Sequence, residues 1–227
     1  PREAKVPFSR SIQAKYALTY LLVVAAAVAA ITADICHMYG SVWTSLRHAF
    51  FQVSSIITTT GYGTVDFDLW PTFSKSILVT LMFVGACAGS TGGGIKVSRI
   101  VIMIKMVKNE LSHLIHPKRV RQVSFESRVV NKEILRSISV FFIAYMMVYC
   151  ISLVLISLDN LDFTTNFTAV AATLNNIGPG LEQVGPTANF SVFSQPAKYV
   201  LMFDMLAGRL ELFPLLLLFM PYTWKRS

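Results

Sequence analysis

Ser54-Ser55-Ile56-Ile57-Thr58-Thr59-Thr60-Gly61-Tyr62-Gly63 closes an apolar run that begins at Val42 and carries only Arg47 and His48 as charged or titratable groups. The run is too short to cross a bilayer and too apolar for a solvated loop. It reads as a short re-entrant helix followed by a Gly-x-Gly turn. The chain holds the pattern twice: residues 163–176 are again short and apolar, closed by Asn175-Asn176-Ile177-Gly178-Pro179-Gly180. Irregular backbone at membrane depth survives only where it is buried in protein or lines a water-filled cavity. Two such segments imply a cavity.

Composition puts that cavity in a membrane. Of 227 residues, 54% are hydrophobic and 14% charged, and the mean hydropathy is +0.56. A soluble domain carries about 25% charged residues. The same figures exclude a disordered chain. Cys36, Cys87 and Cys150 form neither a CxxC pair nor a metal spacing. Three uncharged runs, 16–33, 76–95 and 137–158, are long enough to cross a hydrocarbon core of about 30 Å. A fourth hydrophobic stretch, 199–224, holds Asp204, Arg209 and Glu211.

The net charge of +8 suits nucleic acid by size alone, but its distribution follows membrane topology. Residues 1–15, 96–136 and the C-terminal Lys225-Arg226 hold 16 of the 20 basic residues, so these regions face the cytoplasm. Both the N-terminus of this segment and the C-terminus are thus cytoplasmic. The opposite side carries Asp34, Asp66, Asp68, Asp159, Asp162 and Glu182 against Arg47, Lys75 and Lys198, a net acidic face that attracts cations. Topology accounts for most of the basic loop; a surface for an acidic partner or lipid headgroups is secondary.

The two halves repeat. Phe50, Gly61 and Gly63 map onto Phe167, Gly178 and Gly180 with an offset of 117, and Lys75 and Gly85 map onto Lys198 and Gly208 with an offset of 123. The extra residues fall in the loop after the second turn. A duplicated span–re-entrant helix–span unit is the simplest account, and such repeats point to where a membrane protein binds its ion or substrate. The fold class expected is therefore an all-α polytopic membrane protein. Residues 1–110 form one repeat, with a turn at 58–63 and an intramembrane loop at 85–94. Residues 111–132 form a basic cytoplasmic linker, and 133–227 form the second repeat, with a turn at 175–180.

This arrangement suits a monovalent cation. Backbone carbonyls replace its water without adding charge, so the ion can leave again. Glycine turns those carbonyls inward because it tolerates positive φ, and the C-terminal ends of the re-entrant helices present negative partial charge. Thr58, Thr59, Thr60 and Gly61, with Asn175, Asn176, Ile177 and Gly178, are the candidate filter strands. The Thr and Asn side chains are placed to brace them from behind. Neither strand holds Asp or Glu, which argues against calcium. A single Gly-rich outer turn would be weak; two at matching positions behind short apolar helices are not.

The second span is anomalous. Gly85-Ala86-Cys87-Ala88-Gly89-Ser90-Thr91-Gly92-Gly93-Gly94 places five glycines in ten residues. Each interior glycine costs a helix about 1 kcal/mol relative to alanine, so a broken helix with an intramembrane loop is expected. Small-residue helix packing through Gly85-x-x-x-Gly89 is the ordinary alternative. The stretch lacks the Gly-Lys-Ser/Thr order of a phosphate-binding loop. Arg209 sits near the middle of the last span, where it must face polar groups or water. The carbonyls of the 85–94 loop are its expected partner, with a local pair to Asp204 or Glu211 as the bland reading. His37, His48, His113 and His116 have no ligand spacing.

Four of these motifs, in this order, resemble the Trk/Ktr potassium-uptake superfamily, nearest to its TrkH/TrkG type of membrane subunit. They are Ser55–Tyr62, Gly89–Lys96, Leu174–Gly180 and Gly208-Arg209-Leu210-Glu211. The resemblance implies one pore built from four span–pore helix–span repeats, of which this chain resembles the last two. It implies that residues 58–61 and 175–178 are two of four potassium filter strands. It also implies that Gly85, Gly89, Ser90, Thr91, Gly92, Gly93 and Gly94 form an intramembrane gate touched by Arg209. Such proteins are homodimers in the bacterial inner membrane. They work with a cytoplasmic nucleotide-binding regulatory subunit of the TrkA kind, which would bind NAD or ATP in place of this chain. Potassium is then ligand and substrate, no cofactor belongs to the chain, no covalent chemistry is catalysed, and nucleic acid is not a partner. Two strands cannot ring an ion. The missing pair comes either from an N-terminal half or from a second copy, and the abrupt start without methionine favours the former. Two rivals remain: a cation-coupled secondary transporter resting on Asp204 and Glu211, and a non-conducting scaffold resting on the basic loop.

Overall fold

The computed structural model describes residues 10–85, 93–115, 124–125, 128–129 and 132–209. They form a helical membrane protein built from the two expected repeats. In the first, α1 (Arg10–Tyr39) is followed by α2 (Val42–Ile57) and α3 (Thr72–Phe83). In the second, α5 (Lys132–Ile156) is followed by α6 (Phe163–Leu174) and α7 (Gln195–Arg209). Helix α4 (Val97–Ile115) joins them and runs on into the stretch read as a linker. Residues beyond Arg209, including Glu211 and the rest of the fourth hydrophobic stretch, lie outside the described residues.

Length separates spans from re-entrant helices. At about 1.5 Å per residue, the 30 residues of α1 and the 25 of α5 exceed a hydrocarbon core. The 16 residues of α2 and the 12 of α6 do not reach across it. Helix α5 shows the solvent it was selected for. Ile138, Phe141, Tyr145, Tyr149, Ser152 and Ile156 are buried at helical spacing, while Ile143, Met147, Ile151 and Val154 on the other face are exposed. A helix apolar on its exposed face fits lipid, not water.

Each re-entrant helix packs between the two helices of its own repeat, α2 on α1 and α3, α6 on α5 and α7. The repeats meet where α3 packs on α6 and α4 on α5. The core is correspondingly continuous, with Ile31, Ile35, Val53, Ile56, Leu78 and Met82 from the first repeat and Ile156, Val170, Leu174 and Leu201 from the second. The duplication is carried by element ends as well as by sequence. Helices α2 and α6 end at Ile57 and Leu174, 117 apart, and α3 and α7 begin at Thr72 and Gln195, 123 apart.

The second span is broken as its glycines require. Helix α3 stops at Phe83, and the chain continues as an extended pair, β1 (Val84–Gly85), which runs parallel to β2 (Ile95–Lys96) with Val84 opposite Ile95. Helix α4 resumes directly afterwards. A second two-residue pair, β3 (Ser124–Phe125) with β4 (Arg128–Val129), is antiparallel and lies in the connection to α5.

Candidate functional site

The two Gly-x-Gly turns have the same backbone closure. At the end of α2, the Thr59 amide donates to the Ile56 carbonyl (3.0 Å) and the Thr60 amide to that of Ser55 (2.9 Å). At the end of α6, Asn176 donates to Thr173 (3.0 Å) and Ile177 to Ala172 (2.8 Å). Every donor and acceptor is displaced by 117 residues. This is the helix-ending motif whose penultimate residue must be left-handed. Thr59 (φ 56°) and Asn176 (φ 55°) occupy it, and Gly61 (φ 78°) and Gly178 (φ 112°) follow two residues later. Asparagine tolerates this region, but a β-branched threonine is strained there, by about 1–3 kcal/mol. The Thr58 hydroxyl, bonded to the Ser54 carbonyl (2.6 Å) and 2.7 Å from the Thr60 hydroxyl, helps hold the strained turn.

These closures consume the last carbonyls of the helices and leave those of the turns. Among the described residues, no hydrogen bond is donated to the backbone carbonyls of Thr58, Thr59, Thr60, Gly61, Asn175, Asn176, Ile177 or Gly178. The turns touch each other: a Cβ at Gly61 would collide with the Ile177 carbonyl, whereas one at Gly178 would meet no atom within 4 Å. An open cavity of about 730 Å³ borders both turns, lined by Thr59, Thr60, Asn176, Ile177 and Gly178, with Lys198 and Met205 from α7 opposite. The strands leaving the turns are held by their own pore helices. Ser55 Oγ donates to the Tyr62 carbonyl (2.6 Å) and Gln52 Nε2 to that of Val65 (3.3 Å), while Thr168 Oγ1 accepts from the Leu181 amide (2.9 Å).

The described ends of the glycine-rich loop seat on the second turn. A Cβ at Gly93 would strike the Asn175 carbonyl, and one at Gly94 would stand 3.1 Å from Asn175 Oδ1. Gly85 is packed against Gly93 and Gly94, so both ends of the loop meet at this point. Gly89, Ser90, Thr91 and Gly92 lie outside the described residues. Arg209 is exposed and ends the described part of α7. Its neighbour Gly208 packs against the Leu174 carbonyl and the Asn176 amide, so α7 also closes on the second turn. His48 packs against Tyr39, with ring centroids 4.9 Å apart and the planes tilted by 39°.

Two groups of residues were not recognised in the sequence. Tyr145, Tyr149 and Ser152 line one face of α5 at i, i+4 and i+7. Their hydroxyls donate to Asn175 Oδ1 (2.8 Å), the Phe167 carbonyl (2.8 Å) and Asp204 Oδ1 (2.7 Å), joining α5 to α6 and α7. A polar stripe of that period in an uncharged span was the available signal. The second group is the outer acids, which sequence reading treats only as a field. Asp34 accepts from the Ser74 amide (3.2 Å), Asp159 from that of Ser194 (2.8 Å) and Asp162 from that of Thr165 (3.1 Å), each capping a helix. Asp68 accepts from the Glu182 amide (3.1 Å) and Asp66 from the Thr187 hydroxyl (3.3 Å), so the loop after the first turn clasps the loop after the second. Lys75 pairs with Asp68 at 3.7 Å.

Comparison with known proteins adds four findings. The family model described as TrkH, cation transport protein, matches residues 14–225. The Trk system potassium uptake protein TrkH of Salmonella typhimurium is 42% identical over 189 residues, covering 83% of this chain and 39% of that protein. The Trk system potassium uptake protein TrkG of Escherichia coli K12 is 33% identical over 227 residues, covering 99% of this chain and 45% of that protein. The crystal structure of the potassium transporter TrkH from Vibrio parahaemolyticus superposes with a TM-score of 0.86 at 34% identity, covering 95% of this chain and 47% of that one. The chain thus spans less than half the length of these relatives.

Proposed function

The chain belongs to the TrkH family of cation transport proteins, and we propose that it supplies two of the filter strands of a potassium-uptake pore in the bacterial inner membrane. The observation that carries this reading is the pair of turns with matching closure, whose carbonyls accept no hydrogen bond among the described residues and stand at the negative ends of two pore helices. Potassium sheds water at the outer mouth and binds the carbonyls of residues 58–61 and 175–178. Two further strands, contributed by an N-terminal half with two more repeats, complete the ring. The ion then passes the 85–94 loop, which is the gate, with Arg209 holding it closed. The assembly is a homodimer surrounded by membrane lipid and controlled by a cytoplasmic nucleotide-binding subunit of the TrkA kind. Potassium is cargo, the chain holds no cofactor and catalyses no covalent step, and both its ends face the cytoplasm.

Rubidium uptake into vesicles carrying the intact assembly tests this. Potassium in excess blocks uptake and sodium does not; equal block by both ions removes the selectivity assignment. Arg209→Ala raises uptake in the absence of the regulatory subunit, and unchanged uptake removes the gate assignment.

A coupled secondary transporter is the second reading, favoured by Asp204. This carboxyl is fully buried in α7, and its Oδ2 has no hydrogen-bond partner among the described residues. Under that reading Asp204→Asn abolishes a dependence of uptake on a second ion. A channel-like flux has no such dependence to lose.

A further inference from the structure

Ser55 is the residue of α2 that holds the first filter turn. Its carbonyl accepts from the amides of Thr60 (2.9 Å) and Gly61 (3.3 Å), and its hydroxyl donates to the Tyr62 carbonyl (2.6 Å). One pore-helix residue, buried at 6% exposure, thus binds three consecutive residues of the strand. The matching residue of the second repeat, 117 positions on, is Ala172. Its carbonyl accepts from the Ile177 amide (2.8 Å), but it has no hydroxyl to offer, and Pro179 stands where the first repeat has Tyr62. Among the described residues, no hydrogen bond is donated to the Pro179 carbonyl. The second strand is caught further out and by its amides instead, Gly180 by the Val184 carbonyl (2.7 Å) and Leu181 by the Thr168 hydroxyl (2.9 Å). The two turns close alike and are anchored differently.

We propose that Ser55 is a positioning residue that sets the ion selectivity of the first strand by drawing the Tyr62 carbonyl back toward α2. The proposal rests on the filter assignment above. An ion is coordinated by carbonyls that face it, and a carbonyl spent on a pore-helix hydroxyl is turned away from the ion. The row of free carbonyls at residues 58–61 therefore ends at Gly61. Beyond it the strand is tied down, so the Gly61 carbonyl has a fixed neighbour on its outer side. The tie also keeps the strand from closing on an ion smaller than potassium, because Tyr62 can advance only by leaving a buried donor unsatisfied. In the second strand the Pro179 ring stiffens the same position without a tether, since its φ is locked. Only the first strand depends on a side-chain hydroxyl at this place.

The test uses the intact assembly in proteoliposomes, with rubidium uptake read against sodium uptake and thermal unfolding measured on the same preparations. Ser55→Ala installs the residue that the second repeat carries at this place. Loss of the one hydrogen bond lowers the rubidium-to-sodium ratio by about 2- to 13-fold. Ser55→Cys, which keeps the volume and offers only a weak S–H donor, lowers it in the same direction. Ser45→Ala is the control. It removes a buried serine hydroxyl from the same helix, one bonded to the Ser41 carbonyl (3.0 Å) and about 15 Å from Ser55 along the axis. It keeps the parent's ratio within about twofold. A parent ratio retained in both Ser55 variants overturns the proposal, and a fall in unfolding temperature there would then mark the hydroxyl as structural alone. An equal loss of ratio in Ser45→Ala also overturns it, because the effect is then general loosening of α2. A parent that does not discriminate overturns the filter assignment and the proposal with it, whereas a discriminating parent with indifferent Ser55 variants leaves the filter standing.

Discussion

Gly61 and Gly178 occupy matching places in the two turns, yet replacing them with alanine should give different results. Both have positive φ, 78° and 112°. An alanine at either position pays a backbone cost of about 1–3 kcal/mol, offset by about 0.4–1 kcal/mol from a stiffer unfolded chain. At Gly178 the matter ends there, because nothing lies within 4 Å of the new methyl group. At Gly61 the methyl group meets the carbonyl of Ile177, a backbone atom that cannot rotate away. The atom it strikes belongs to the second filter strand, so relief requires that strand to move. A filter discriminates by where its carbonyls stand, and a change of about 1.4 kcal/mol between two ions is a tenfold change in their ratio. Rubidium-to-sodium uptake ratios in vesicles, measured beside thermal unfolding of the purified protein, separate the two effects. Gly178→Ala should unfold earlier but keep the parent's ion ratio within about threefold. Gly61→Ala should lose the ratio by about tenfold or more. Equal ion ratios in the two variants would refute the claim that the turns are in backbone contact.

Two further predictions concern the supports of the turns. Thr59→Asn places a residue that tolerates the left-handed region at φ 56°, and thermal unfolding should rise by the equivalent of about 1 kcal/mol; a fall of that size would show that the threonine is not strained. Asp68→Ala removes the acceptor for the Glu182 amide across the two outer loops, lowering stability by about 0.5–1.5 kcal/mol, while Asp68→Asn keeps an acceptor and most of the stability. Equal losses in the two variants would assign Asp68's role to its charge and its pair with Lys75.

The helices and their breaks were legible because one property decides each of them. An uncharged run of bilayer length has few alternatives to a span, and five glycines in ten residues cannot continue a helix. The turns were legible because the sequence writes them twice: one Gly-x-Gly is common, but two at a fixed offset with short apolar helices before them are not. What the sequence hid is what depends on distant partners. Asp34, Asp68 and Asp159 bond residues 40, 114 and 35 positions away, so no local pattern marks Asp34 and Asp159 as caps or Asp68 as a clasp. Tyr145 and Tyr149 read as ordinary bulk in an apolar span, since a tyrosine is polar at a single atom. Thr59 gives no sign of its left-handed backbone, because threonine is among the residues least suited to it. The seat of the glycine loop on Asn175 joins two segments that the repeat pattern relates to different halves.

The central claim is that the carbonyls of residues 58–61 and 175–178 hold the transported ion. Anomalous scattering from crystals of the intact assembly grown in rubidium addresses it directly. The account predicts a peak on the pore side of both turns, within coordination distance of the Thr60, Gly61, Ile177 or Gly178 carbonyls, that persists in excess sodium and is lost in excess potassium. Rubidium peaks found only elsewhere, or a peak at the turns that excess sodium displaces as readily as excess potassium, would contradict it.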